Sequence, residues 1–359
     1  MKRLVVTTGG TGGHIFPALA VAEAVRQAEP QCEILFVGGE HGPEGRWAAR
    51  SGLEFVALPA RGVLGRGFRS VGSVVWLGRS LFKAWRLVRR FRPDVVLGLG
   101  GYAGFSCVLA ASFMGIPTAI HEQNSVPGVT NRVLARRVDR VLVSFEGMDA
   151  PAFTGRNVVV TGNPIRGNIR VLRDREPTHG RNVLVVGGSQ GAAALNRIML
   201  REMDSFRGQG IQIWHQTGRD DYEMVRAAYA EHYPEARVDA FIDTMEEAYA
   251  FADLVICRAG ATTIAELTAA GKPSILVPFP YATHDHQLKN ARFLEAEGAA
   301  MVIQQSYLED KSLAAAVGDL FGMPDRLAKM SRAARDMGRP DAGERVVAEL
   351  QSLAGTRNR

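Results

Sequence analysis

The run Gly9-Gly10-Thr11-Gly12-Gly13-His14 places a titratable imidazole at the mouth of a glycine loop. The apolar, partly β-branched residues from Leu4 to Thr7 precede it, and Ile15-Phe16-Pro17-Ala18-Leu19 reads as the opening of a helix. Glycines permit positive φ and bring bare backbone N–H groups up to a ligand, while a helix N-terminus favours negative charge. The loop therefore suits a phosphate or a developing oxyanion, and His14 suits proton transfer near neutral pH. Its spacing is neither G-x-G-x-x-G nor G-x-x-x-x-G-K-[ST], which speaks against a nicotinamide dinucleotide and against a P-loop.

Two further segments follow predicted strands: Gly98-Leu99-Gly100-Gly101-Tyr102-Ala103-Gly104 and His121-Glu122-Gln123-Asn124. In an open parallel sheet the carboxyl ends of the strands line one crevice, so these loops and His14 are expected to converge. Read alone, His121 and Glu122 suit satisfied structural polar groups equally well. In the second half, Cys257-Arg258-Ala259-Gly260-Ala261-Thr262-Thr263-Ile264-Ala265-Glu266 runs from a strand end into a helix. First-turn N–H groups there can hold a diphosphate, and Glu266 can accept from ribose hydroxyls. A capping box of Thr263 with Glu266 is the plainer reading of the same residues. His284 and His286 have no further His or Cys cluster to complete a zinc set, and no D-x-D occurs, so no metal clamp is expected. Cationic groups and helix dipoles must then stabilise a departing diphosphate.

The elements that position these residues alternate. Strands are predicted at Leu4–Thr7, Glu33–Val37, Glu54–Ala57, Val95–Leu99, Thr118–His121, Arg140–Ser144 and Asn157–Thr161, with helical stretches between them. That pattern specifies a mostly parallel sheet covered on both faces. Gly162-Asn163-Pro164-Ile165-Arg166 breaks it, and a polar run to Arg181 follows. Then Val183-Leu184-Val185-Val186-Gly187-Gly188-Ser189-Gln190-Gly191-Ala192 repeats the opening logic, with strands expected at Ile211–Gln216, Arg237–Phe241, Leu254–Cys257 and Ser274–Val277. The 359 residues divide on this reading into Rossmann-like domains at 1–163 and 164–340, with a helix at 341–359 that packs back on the first.

The chain carries a formal charge of +6 and 46% hydrophobic residues, with no apolar run long enough to span a bilayer and no signal-peptide pattern. Its three scattered cysteines fit a reducing compartment. Between Phe55 and Asp94 lie Arg61, Arg66, Arg69, Arg79, Lys83, Arg86, Arg89, Arg90 and Arg92, and no acidic residue. At helical spacing Leu77, Leu81, Ala84, Val88 and Phe91 form a core face. The opposite face holds Val75, Arg79, Phe82, Arg86 and Arg89, with Trp85 at its edge. Aromatics ringed by arginine suit an anionic bilayer surface, and Arg136, Arg137 and Arg140 widen the patch. A basic solvated helix is the bland alternative; no nucleic-acid-binding module is visible.

Six motifs occur in order: GGTGGH at 9–14, GGYAG at 100–104, HEQN at 121–124, TGNPIR at 161–166, GGSQGA at 187–192 and RAGATTIAE at 258–266. Together, over about residues 3 to 300, they closely resemble the MurG family, peripheral membrane glycosyltransferases of bacterial peptidoglycan synthesis. The resemblance implies a GT-B fold, two Rossmann-like domains with parallel sheets facing a deep cleft. It also implies transfer of N-acetylglucosamine from UDP-N-acetylglucosamine to lipid I at the cytoplasmic face of the plasma membrane, with no cofactor. Other cell-wall synthesis or division proteins are partners it leaves open.

Carried over by motif, Thr11, Gly12, Gly13 and Asn124 would meet the donor from the N-terminal side. Arg166 and Ser189 would hold the diphosphate, the backbone of Ile242 the uracil, Ala261, Thr262, Thr263, Ile264 and Ala265 the phosphates, Glu266 the ribose and Gln287 the sugar. The family often has a second glutamine beside Gln287, where this chain has His286 and Leu288. Gly100, Gly101, Tyr102 and His121 fall to the acceptor. The expected chemistry is a single inverting displacement with His14 as base, or else Glu122, and with domain closure about 163–167 excluding water. A UDP-N-acetylglucosamine 2-epimerase would share the nucleotide half without needing a membrane patch. A non-catalytic anchoring subunit would not need His14, Arg166 and Glu266 together.

Overall fold

The computed structural model describes residues 1–59, 71–146, 151–173, 175, 180–188, 191–282, 285–308, 310 and 312–356, without the side chains of 71–75. Ser189, Gln190, His284, Arg61, Arg66, Arg69 and the side chain of Val75 therefore lie outside the described residues. The chain forms two units, Met1–Arg166 with Pro340–Arg359, and Gly167–Arg339.

In the first unit seven parallel strands are β1 (Arg3–Thr7), β2 (Glu33–Gly39), β3 (Glu54–Leu58), β4 (Val95–Gly98), β5 (Thr118–Glu122), β6 (Arg140–Val143) and β7 (Val158–Val160), in the order β3-β2-β1-β4-β5-β6-β7. Successive side chains of a strand point to opposite faces, so a strand covered on both sides reads as continuously apolar. β1 shows this directly. Leu4 and Val6 pack on α1 (Gly12–Ala28), while Val5 packs with Val96, Cys107 and Val108 on the other face. Helices α2 (Glu44–Arg50), α3 (Val71–Phe91), α4 (Gly101–Phe113) and α5 (Val129–Leu134) complete the unit before the linker.

In the second unit six parallel strands, β8 (Asn182–Val186), β9 (Gln212–Gln216), β10 (Arg237–Asp239), β11 (Leu254–Cys257), β12 (Ser274–Leu276) and β13 (Ala300–Val302), run β10-β9-β8-β11-β12-β13. β13 was not legible in the sequence, because three residues beginning on alanine carry no strand period. Around this sheet lie α6 (Gly167–Arg170), α7 (Ala193–Arg201), α8 (Met203–Gly208), α9 (Tyr222–His232), α10 (Met245–Phe251), α11 (Ala261–Ala270), α12 (His286–Ala296), α13 (Leu313–Phe321) and α14 (Pro324–Met337). The last helix, α15 (Ala342–Thr356), belongs to the first unit. Its Val346, Val347, Leu350 and Leu353 enter the core with Val21 and Val25 of α1. Gly343 lies where a Cβ would come within 3.2 Å of Ala24, so the helices approach closely.

Helix α3 buries Ala84 and Val88 of the predicted core face, packs Phe91 against the core, and corrects the face at Leu77. Leu77 is 38% exposed, and the buried line is Ser80, Ala84 and Val88. Ser80 Oγ–H donates to Ser106 Oγ at 2.9 Å and ties α3 to α4, while Leu77 turns outward. Phe82 is 60% exposed and Trp85 38%, with Arg86 over Phe82 and Arg89 over Trp85. Arg79 lies over the Trp76 ring. Arg137 sits over exposed Phe113, whereas Arg140 pairs with Glu349 of α15 and so serves the core side rather than this surface. No helix among the described residues is long and apolar enough to cross a membrane.

Candidate active site

Both sheets reverse strand order between neighbours, β1 with β4 and β8 with β11, and ligand loops gather at such switch points. In the first unit the glycine loops after β1 and β4 touch. Gly101, at φ +78°, lies so close to Gly9 that a Cβ would come 2.5 Å from the Gly9 carbonyl oxygen. Gly100, at φ +91°, lies under the His14 ring, where a Cβ would come 3.4 Å from Nε2. His14 is half-buried, and its Nδ1–H donates to Gly9 C=O at 3.1 Å. That bond selects the tautomer whose Nε2 lone pair is open, and Nε2 has no partner among the described residues. Thr11 and Gly13 are exposed, Gly12 and Tyr102 half-buried.

Glu122 and His121 are anchors. The Glu122 carboxylate is 2% exposed; Oε1 accepts from Asn124 N–H at 3.0 Å and Oε2 from Gly128 N–H at 2.9 Å and Asn131 Nδ2 at 2.8 Å. A carboxylate so committed ties down the 123–131 loop instead of offering a lone pair to a substrate, which corrects its reading as a second base. Asn124 is held by the same group through its own Nδ2, at 3.4 Å. His121 is fully buried, donating Nε2–H to Gly162 C=O at 2.9 Å and accepting at Nδ1 from Gln123 Nε2 at 3.3 Å. It therefore fastens β5 to the 161–166 segment, out of reach of an acceptor.

Burial pushes His121 down to about 4, and in the second unit the buried His215, between Tyr229 OH and Asn196 Oδ1, down to about 3. An unfolded imidazole takes its proton near 6.5, so the stability of the neutral buried rings is fully present above that pH. It is lost as the pH falls through the folded values. For His121 alone the loss between those limits is on the order of 3 kcal/mol. Urea unfolding at pH 7.5 and 4.5 should show the fall, and His121→Gln should reduce it by about half, His215 supplying the rest; an equal slope in the variant would mean the ring is not held neutral.

Arg166 closes the first unit, its guanidinium 5.0 Å over Phe16 of α1. The unit that contains it, Met1–Arg166, also contains Phe16.

In the second unit the loop after β8 turns through Gly188 and Gly191, at φ +86° and +77°. A Cβ on Gly191 would come 2.6 Å from the Thr217 carbonyl oxygen. Gln216, at the end of β9, accepts from Ile242 N–H at 3.1 Å and donates to Gly188 C=O at 3.1 Å. It joins the loops expected to hold base and phosphate, and a lone glutamine closing an apolar strand carries no motif that would mark it in the sequence. Gly260 caps α11 without a side chain, so Thr263 is not an N-cap and the capping box does not form. The first-turn amides of α11 are those of Ala261, Thr262 and Thr263; Ile264 N–H donates to Gly260 C=O at 2.9 Å and Ala265 lies further inside the helix. Glu266 is buried and accepts from Tyr249 OH at 3.0 Å. Gln287 accepts from Phe279 N–H at 3.0 Å. Arg258 clamps the ends of β11 and β12, donating to Val277 and Pro278 carbonyls and to Gln305 Oε1. Among the described residues no group of three or more His, Cys, Asp or Glu could hold a metal ion.

Two successive Rossmann-like units with glycine loops at their switch points have the layout of the GT-B fold, and the matching family models make it that of a glycosyltransferase. The glycosyltransferase family 28 N-terminal domain matches residues 4–143 and the family 28 C-terminal domain residues 182–346. The chain belongs to glycosyltransferase family 28, and within it to the MurG family. It is 50% identical over 361 residues to a UDP-N-acetylglucosamine–N-acetylmuramyl-(pentapeptide) pyrophosphoryl-undecaprenol N-acetylglucosamine transferase of Nitratidesulfovibrio vulgaris strain DP4, covering 99% of each chain. An enzyme of the same name from Methylococcus capsulatus is 46% identical over 357 residues, again 99% of each. The crystal structure of Acinetobacter baumannii MurG aligns with a TM-score of 0.75 at 33% identity over 98% of this chain and 100% of that one. A Listeria monocytogenes protein described as a putative UDP-N-acetylglucosamine 2-epimerase aligns at 0.70 with 14% identity over 98% of this chain and 96% of that one, which is a likeness of fold alone.

Proposed function

We propose that this chain transfers N-acetylglucosamine from UDP-N-acetylglucosamine to the 4-hydroxyl of the N-acetylmuramyl sugar of lipid I, giving lipid II and UDP. The full-length identity to enzymes of that name supports the substrates, and the orientation of His14 carries the mechanism. The muramyl hydroxyl attacks the anomeric carbon from the face opposite the α-linked UDP and gives up its proton to Nε2 of His14. The bond to the diphosphate breaks with inversion, leaving a β-1,4 linkage. Gly100, Gly101 and Tyr102 border the acceptor, and the Thr11–Gly13 backbone approaches the transferred sugar beside Asn124.

In the second unit the Ile242 amide is taken by Gln216, which leaves its carbonyl for the uracil N3–H. Glu266 accepts from the ribose hydroxyls. The amides of Ala261, Thr262 and Thr263, the loop holding Ser189, and Arg166 take up the charge of the departing UDP. Gln287 reads the sugar. These residues need no metal for the step.

The exposed Phe82, Trp85 and Leu77, with Arg79, Arg86 and Arg89, hold the protein peripherally on the anionic cytoplasmic face of the plasma membrane, where a lipid-linked acceptor resides. The test is transfer of labelled N-acetylglucosamine to a lipid I analogue in anionic vesicles. The wild type is expected to form the β-1,4 disaccharide. Phe82→Ser with Trp85→Ser should lower vesicle binding roughly tenfold or more while sparing UDP binding. Epimerisation of the donor without any acceptor, or binding without turnover, would overturn the transferase reading.

A further inference from the structure

Glu44, the first residue of α2, is 1% exposed and has no ion-pair partner among the described residues. Oε1 accepts from Gly10 N–H at 2.9 Å, and Oε2 is buried without a donor among the described residues. A buried carboxylate with so little compensation is costly, and such departures from good packing gather at functional sites. The surrounding glycines make room for it. A Cβ on Gly38 would come 2.7 Å from Glu44 Cβ, and one on Gly42 would overlap the carboxylate itself. Neither glycine has a positive φ, so backbone conformation does not account for them. The side chain runs through a slot that only glycine leaves open, and it ends on the catalytic loop.

Gly10 N–H and Gly9 C=O belong to one peptide group. Its N–H donates to Glu44 and its C=O accepts Nδ1–H of His14 at 3.1 Å. We infer that Glu44 is a positioning residue for His14, acting through the Gly9–Gly10 peptide as carboxylate, amide and imidazole in series. The carboxylate polarises the peptide, and the more negative carbonyl oxygen binds Nδ1–H more strongly, since hydrogen bonds in series reinforce one another. It thereby fixes the tautomer with Nε2 free and favours the imidazolium that forms during attack, as an orienting acceptor does for a histidine ligand or base. No proton crosses the peptide. The acceptor O–H breaks, Nε2–H forms, the anomeric carbon gains the new C–O bond, and UDP leaves with the electron pair of the old one.

This role rests on His14 being the base, and the test separates the two. Glu44→Gln keeps an oxygen for Gly10 N–H, removes the charge and puts an amide NH2 in place of Oε2. It is expected to lower kcat about 10- to 100-fold with the KM for UDP-N-acetylglucosamine within about twofold. In ¹⁵N-labelled protein, Nδ1–H of His14 should move upfield and the population with an unprotonated Nε2 should shrink. Gly42→Ala, which pushes the carboxylate aside with its charge intact, should reproduce both changes. A Glu44→Gln enzyme with wild-type kcat, or one whose kcat falls while the His14 signature stays unchanged, overturns the relay. If the wild type forms no disaccharide the transferase reading fails, and the ¹⁵N signature still decides whether Glu44 acts on His14.

Discussion

His14→Ala lowers kcat for transfer by about 10²- to 10⁴-fold, the range that one positioned base supplies, and leaves the affinity for UDP within about twofold. The separation follows from the geometry. Among the described residues the ring's one hydrogen bond is Nδ1–H to Gly9 C=O, so its removal deletes that bond and leaves the rest of the loop in place. The Thr11 carbonyl still accepts from Ile15 N–H at 3.2 Å, and Gly10 N–H is still held by Glu44. What disappears is Nε2, the acceptor of the hydroxyl proton. His14→Gln offers no basic nitrogen and should be no better. Single-turnover transfer beside a UDP titration measures both quantities; a variant retaining more than about a tenth of wild-type kcat would place the base elsewhere.

Glu266→Ala acts on the other side of the reaction. Hydrogen bonds to a charged group contribute about 1.5–3 kcal/mol, so losing the ribose contact should raise KM for the donor roughly 10- to 100-fold with kcat much less affected. The substitution also removes the 3.0 Å bond that the hydroxyl of Tyr249, a fully buried ring, makes to Oε2. Glu266→Gln separates the two effects, because an amide oxygen keeps Tyr249 satisfied while the charge is lost. Calorimetry with UDP and with 2′,3′-dideoxy-UDP reads the contact directly: wild type should discriminate between them and Glu266→Ala should not. Equal discrimination in both proteins would mean that the carboxylate serves only the tyrosine.

The division of labour between sequence and tertiary structure is visible in particular residues. Alternating apolar strands and helical stretches were legible because each strand of a doubly covered sheet is apolar on both faces, as Leu4, Val5 and Val6 are. The glycine loops were legible because positive φ and close approach demand glycine by type; Gly10, Gly100, Gly101, Gly188 and Gly191 all take positive φ. The local pattern therefore determined the two Rossmann-like units and which loops end on their switch points. It did not determine what a polar side chain does there. His121, Glu122 and His14 are alike in sequence as chemistry-bearing residues near strand ends. Burial and hydrogen-bond partners separate them, leaving two anchors and one ring with Nε2 open. Leu77 had the spacing of a core residue, but it faces outward where Ser80 ties α3 to α4. Gln216 and Glu44 carried no signal, since their roles depend on partners 26 and 34 residues away. Period and turn chemistry are properties of neighbours along the chain, and they specify elements. The use of a carboxylate or an imidazole is set by what the folded chain brings within 3 Å, and only the tertiary structure decides that.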